Sequence, residues 1–127
     1  MKKKRIIILA IIVTVVLIVI AVESFNPIRK SDEEITEYIL TLIPKGSSME
    51  EVIDVIESRK IYGWKWDGRI FPHGIDRGGY PSYGSWSIKV NLGTYLGSFP
   101  TFVLAKFGFD ENSKLIDVFV YKETDTP

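Results

Sequence analysis

The residues best suited to acid–base chemistry lie in one stretch, GWKWDGRIFPHGIDRGGYPSYGSW, from Gly63 to Trp86. His73 is the single histidine of the chain and the natural general base at neutral pH. Asp67 and Asp76 flank it, and serines follow as nucleophile candidates. Catalytic groups are usually assembled in space from distant segments, not from sequence neighbours. A hydrolase using His73 is therefore only an alternative, and we predict no catalytic residue.

Aromatic and arginine side chains in the same stretch favour binding over catalysis. Tyrosine and arginine among adaptable glycine and serine residues are typical of protein recognition surfaces. Aromatic faces beside aspartate would also suit a glycan or another small ligand, so both kinds of partner stay open. The predicted binding residues are Arg69, Phe71, His73, Arg77, Tyr80 and Tyr83.

Part of the stretch is expected to pack instead of binding. Trp64 and Trp66 are two residues apart, which places both rings on one face of an extended segment. Trp86 alternates with Ile88 and Val90 on the apolar face of a strand, so we assign it to the core.

Composition excludes several kinds of site. The chain has no cysteine and one histidine, so we predict neither a metal site nor a cofactor. Residues 23–127 carry twelve Lys or Arg against sixteen Asp or Glu, a net charge of −4, which argues against a nucleic-acid partner.

The N-terminal segment has the composition of a membrane anchor. A basic tag over residues 1–5 precedes residues 6–22, of which fourteen of seventeen are Ile, Leu or Val. At about 1.5 Å per residue this run spans roughly 25 Å. We predict an uncleaved signal-anchor and a single-pass membrane protein with a cytoplasmic N-terminus, an extracytoplasmic C-terminal domain, and a cell-surface protein as partner. The alternative is a cleaved signal peptide ending near Ala21.

Helix-start signals open the C-terminal domain, predicted over residues 31–122 between a spacer over 23–30 and a frayed tail over 123–127. Ser31 to Glu34 has the form of a capping box, followed by apolar residues at helical spacing. Ser48 to Glu51 repeats the box, and Ser47 with Glu50 is an equally good register. The apolar face of this second helix includes Ile53.

Residues beyond the helices change to the period of strands. Alternating residues over 86–92 predict a half-buried strand, and 101–109 and 115–122 predict two more. The polar run 110–114 predicts a hairpin turn with Asn112 as its left-handed residue, and 93–100 a wide turn. The predicted fold is α+β: a transmembrane helix, then two short helices packed on a three- to four-stranded antiparallel sheet.

Two segments resemble a known fold family. Residues 45–52, KGSSMEEV, look like the turn that opens the second helix in the small lipoproteins of the outer-membrane barrel-assembly machine and in the beta-lactamase inhibitory proteins. Residues 107–118, FGFDENSKLIDV, are similar to the last hairpin of that fold. The resemblance covers about 31–60 and 101–122. It implies a non-catalytic protein that binds other proteins through its sheet or edge loops.

Overall fold

A computed structural model describes residues 2–24, 27–76 and 83–125. It contains helices α1 (Lys2–Ser24), α2 (Asp32–Leu42) and α3 (Met49–Ser58), strands β1 (Lys65–Trp66), β2 (Trp86–Leu96), β3 (Pro100–Phe109) and β4 (Leu115–Thr124), and 3-10 turns at Pro27–Arg29 and Lys60–Tyr62.

The strands form one antiparallel sheet in the order β1-β2-β3-β4, so each strand pairs with its neighbour in sequence. The chain is α+β, with α2 and α3 on one face of this sheet. Alternation along each strand sends every second side chain toward the helices. The buried core between the layers consists of Ile35, Ile39, Ile43, Val52, Ile56, Trp64, Ile88, Val90, Leu92, Val103, Ala105, Phe107, Phe109, Leu115, Val118 and Val120.

Both helices of the domain begin at a serine cap. The Ser31 hydroxyl accepts a hydrogen bond from the Glu34 backbone N–H at 3.2 Å, and the Ser48 hydroxyl accepts one from Glu51 at 3.1 Å. The second bond decides between the two registers in favour of Ser48. Each bond satisfies one of the N–H groups that the first turn of a helix leaves without a partner.

The first helix corrects the membrane prediction. The described apolar side chains of α1 run from Ile6 to Ile18 and are exposed. Over the described ranges, no helix has both the length and the apolarity needed to cross a bilayer. On this finding the predicted transmembrane helix, the signal-anchor and the single-pass location with an extracytoplasmic domain are wrong.

The hairpin between β3 and β4 corrects the assignment of Asn112. The left-handed residue is Ser113, with a φ of 60°. The Asp110 carbonyl accepts from Ser113 N–H, and the Asp110 carboxylate accepts from the N–H groups of Asn112 and Lys114. Such a three-residue loop places the positive φ at its last position, which here is a serine.

Strand ends differ from the sequence boundaries. β2 continues to Leu96 through a bulge at Gly93, whose φ is 138°, so the wide turn predicted over 93–100 shrinks to residues 97–99. β4 continues to Thr124, and the N–H of Asp125 donates to the Pro100 carbonyl, so the tail is paired to residue 125. The assignment of Trp86 to the core is wrong: its side chain is 38% exposed, because it stands at the first residue of β2, where the sheet ends.

Candidate functional site

The predicted binding stretch between β1 and β2 is held to the sheet by backbone hydrogen bonds. Phe71 and Ser87 exchange N–H and carbonyl bonds of 2.8 and 3.1 Å, which continues the pairing of β1 along the edge of β2. Ile75 and Tyr83 exchange a second pair of bonds of 2.8 and 3.0 Å. The stretch is therefore an ordered part of the fold at these points.

Ile75 anchors the stretch on the sheet face opposite the helices. Its side chain is fully buried and lies over Gly108 of β3, where an added Cβ would come within 2.8 Å of Ile75 Cδ1. Position 74 also has no room for a side chain, because a Cβ on Gly74 would lie 2.2 Å from the Tyr83 carbonyl oxygen. Glycine at both positions permits this close approach.

The described members of the predicted binding set, Arg69, Phe71, His73 and Tyr83, do not form one surface. Phe71 is half-buried, with its ring centroid 5.5 Å from that of His73. Arg69 is exposed and lies 3.9 Å from the Asp67 carboxylate, while Tyr83 is 52% exposed at a separate point of the stretch. Arg77 and Tyr80 lie outside the described residues. Among these four described members, only Phe71 and His73 are in ring contact.

His73 has an ordinary local environment. Its Nδ1 lies 2.8 Å from the Gly74 carbonyl oxygen, which can only accept, so Nδ1 donates. Within the part of the chain that the structure covers, no carboxylate lies within ion-pair distance of the ring, and no three His, Cys, Asp or Glu residues are grouped as metal ligands. The glycan and hydrolase alternatives stay predictions.

The two tryptophans before this stretch pack as predicted. Trp64 is 5% exposed and belongs to the core, and Trp66 is half-buried against that core. The Trp66 indole N–H donates to the Arg69 carbonyl at 3.1 Å. Their spacing of two residues places both rings on the helix-covered side.

A different group of residues lines a cavity beside Arg59, at the end of α3. The guanidinium carbon of Arg59 lies 5.6, 5.1 and 5.7 Å from the ring centroids of Tyr38, Tyr62 and Trp64. Arg59 Nη1 also donates to the Tyr38 hydroxyl at 2.9 Å. Aromatic faces attract a guanidinium within about 6 Å, so three rings hold this cation in place.

Local sequence explains how the rings reach Arg59. The α-helix ends at Ser58, and a 3-10 turn over 60–62 follows directly. Gly63 closes that turn with a φ of 94°, and Trp64 N–H then donates to the Arg59 carbonyl at 3.3 Å. Because glycine adopts this left-handed conformation without strain, the chain reverses and returns Trp64 to Arg59.

The cavity beside these rings has a volume of about 630 Å³. That volume is within the range of about 300–1,000 Å³ typical of ligand pockets, and the cavity is open on one side. Its floor is β2 where β1 no longer pairs with it, since β1 reaches only Asn91 and Val90. We call it the Arg59 groove, lined by Ile28, Tyr38, Arg59, Tyr62, Gly63, Trp64, Leu92, Gly93 and Thr94.

Exposed apolar side chains lie on the turn and the strand that line the groove. Ile61 is 86% exposed and Tyr62 71%, both on the 3-10 turn, and Leu96 at the end of β2 is 71% exposed. Arg29 lies over the Tyr95 ring at 4.9 Å and donates to the Leu96 carbonyl at 2.8 Å. Arginine, tyrosine and apolar groups are thus concentrated at one end of the domain.

Sequence reasoning missed this groove. In the sequence Arg59 is a basic residue at the end of a helix, which the helix dipole alone would explain, and Tyr38 lies in another helix, twenty-one residues away. The available signal was the spacing of Arg59, Tyr62 and Trp64 around Gly63, which makes a reversal at a helix end. The contribution of Tyr38 and of β2 depends on tertiary packing.

No family model matches the chain, and no curated protein or solved structure is significantly similar to it. The resemblance to the barrel-assembly lipoproteins and the inhibitory proteins therefore stays a prediction, and function is argued from the geometry of the domain.

Proposed function

We propose that this chain is a non-catalytic binding module that recognises a partner protein through the Arg59 groove. The observation that carries the proposal is the guanidinium held among three aromatic rings beside an open cavity of about 630 Å³. Interface residues that contribute most to affinity are enriched in Trp, Tyr and Arg. The groove presents all three residue types.

Arg59 gives the groove its chemical preference. A guanidinium has five N–H donors, and the hydrogen bond from Arg59 to a side chain is the one to the Tyr38 hydroxyl. Across residues 2–24, 27–76 and 83–125, no carboxylate lies within ion-pair distance of Arg59. A carboxylate of the partner can therefore form a charge-assisted, bidentate pair there.

The exposed apolar residues define the rest of the partner's surface. Tyr62 lines the groove, Ile61 precedes it on the same turn and Leu96 ends β2, and all three expose apolar area that water does not favour. A complementary partner carries an aspartate or glutamate amid apolar side chains. Rings already fixed around Arg59 lose little side-chain freedom on binding, which favours affinity.

Site-specific photocrosslinking tests this proposal. A photoreactive phenylalanine analogue replaces Tyr62 at the groove or, as the matched control, Ile70 on the β1–β2 stretch, in the full-length chain expressed in its own host. We expect a discrete protein adduct from position 62 that is lost when Arg59→Ala is added. Position 70, also exposed, should give no adduct that depends on Arg59.

Two results would contradict the proposal. One is an adduct at position 62 that persists at full yield in Arg59→Ala while circular dichroism shows a folded domain. The other is a protein adduct formed only from position 70, which would return the binding role to the β1–β2 stretch.

A further inference from the structure

The outer edge of β4 is an open sheet edge beside an acidic helix. In an antiparallel pair, residues that bond to the partner strand alternate with residues whose N–H and C=O point away. Asp125 N–H donates to the Pro100 carbonyl, and the register from Thr101–Thr124 to Phe107–Val118 has no break. Counting back by twos from Asp125, the odd-numbered residues of β4 bond to β3. The N–H and C=O groups that point outward therefore belong to Val118, Val120 and Lys122.

The start of this edge is occupied, and its centre is open. At the start of β4, Leu115 exchanges backbone bonds of 2.8 Å with Gly46 and Ser47. The Val118 N–H donates a hydrogen bond of 2.9 Å to the Asp117 carboxylate. For the outward N–H and C=O of Val120, the described chain supplies no hydrogen-bond partner. An extended segment can pair with β4 there.

A groove of about 420 Å³ runs between this edge and α2. Its strand side consists of Val118, Phe119 and Val120, and its helix side of Asp32, Glu33, Thr36 and Glu37. Glu33 and Glu37 are exposed, and neither has a basic partner within the described residues. Lys122 Nζ lies 3.5 Å from Asp32 Oδ1, a long contact that offsets one of the three carboxylates.

We propose that β4 binds a basic, extended peptide segment of a partner protein by strand addition. The segment pairs with the outward groups of β4 from the Val118 carbonyl to Lys122, and every second side chain of the segment faces α2. Lysine or arginine at those positions meets Glu33 and Glu37, and the intervening side chains lie on the far face near Phe119. This surface is separate from the Arg59 groove and does not depend on it.

The same charges disfavour a second copy of this chain as the occupant. Two β4 edges that paired with each other across a two-fold axis would bring two acidic α2 flanks to the same junction. Like charges placed together across an interface cost free energy and select against that pairing. A basic segment removes this cost.

The test uses a fluorescein-labelled eight-residue peptide that alternates lysine and threonine, titrated with the full-length protein in mild detergent, which disperses the exposed side chains of α1. Fluorescence anisotropy should show saturable binding that weakens at least 10-fold in the Glu33→Lys/Glu37→Lys variant. The matched control is Glu50→Lys/Asp54→Lys, which makes the same change at the same positions of α3 and should leave affinity within about 2-fold.

Backbone methylation separates strand addition from simple charge attraction. One peptide is N-methylated at every lysine and the other at every threonine, so that each loses the N–H groups along one edge only. Antiparallel addition predicts that the lysine-methylated peptide loses binding and the other retains it; parallel addition reverses the two.

Three results would overturn the proposal: equal binding of the two methylated peptides, equal weakening by the two charge-reversal pairs, or binding of a glutamate–threonine peptide as tight as that of the lysine peptide. A fourth result would assign the edge to a second copy instead. In it, the peptide does not bind, and analytical ultracentrifugation shows a concentration-dependent dimer that is lost in Val120→Pro.

Discussion

The β1–β2 stretch and the Arg59 groove have similar aromatic content and differ in what holds their rings. In the stretch, backbone pairs at Phe71–Ser87 and Ile75–Tyr83 tie the chain to the sheet or to itself, and Ile75 is fully buried. In the groove, three rings converge on one cation beside open space. Aromatic composition alone therefore does not identify a binding surface, because the surface depends on where elements end.

The difference also separates stability from recognition. Ile75 fills space over Gly108, so its apolar area is removed from water when the domain folds. Tyr62 and Ile61 keep most of their area in water, and a partner is needed to bury it. On the proposed function, the described part of the stretch contributes mainly to the fold and the groove mainly to binding.

The largest expected effect concerns the anchor of the stretch. Ile75→Ala should lower the free energy of unfolding by about 2–5 kcal/mol, because it removes a fully buried side chain and leaves a cavity over Gly108. Ile70→Ala, a control in the same stretch with its side chain 45% exposed, should change it by less than about 0.5 kcal/mol. Urea unfolding measures both, and equal costs would mean that the stretch is not anchored at Ile75.

A smaller effect is expected inside the groove. Tyr38→Phe keeps the ring beside Arg59 and removes the hydroxyl that accepts the 2.9 Å hydrogen bond. The loss should be about 0.5–1 kcal/mol, because the tyrosine is 40% exposed and water replaces part of the bond. A loss above about 2 kcal/mol in the same urea experiment would show that the Arg59 cluster is a stability element.

Local signals in the sequence predicted the helices and the sheet period well. Both serine caps lie within one turn of the N–H groups that they satisfy. The packing of Trp64 and Trp66 against the core could be predicted from their spacing of two residues alone. Features set by tertiary packing were not predicted. Ile53 is only half-buried, since Val52 and Ile56 face the sheet more directly, and Trp86 is exposed because the sheet ends there.

The two candidate surfaces were less accessible to sequence reasoning than the fold. The Arg59 groove joins α2, the turn after α3 and β2, which are far apart in the chain. The β4 edge could be identified only when β4 was known to be the last strand of the sheet, with α2 beside it. Neither arrangement leaves a short motif.

The measurement that tests the central claim most directly is the Kd of the partner captured at Tyr62 for three purified full-length variants, determined by calorimetry. Arg59→Ala should weaken binding about 30-fold, as expected when an interface arginine contributes about 2 kcal/mol. Arg59→Lys should weaken it nearly as much, because lysine keeps the charge and loses the planar stacking. Arg69→Ala should leave the Kd within about 2-fold of the native chain. A Kd unchanged in Arg59→Ala and weakened in Arg69→Ala would contradict the account.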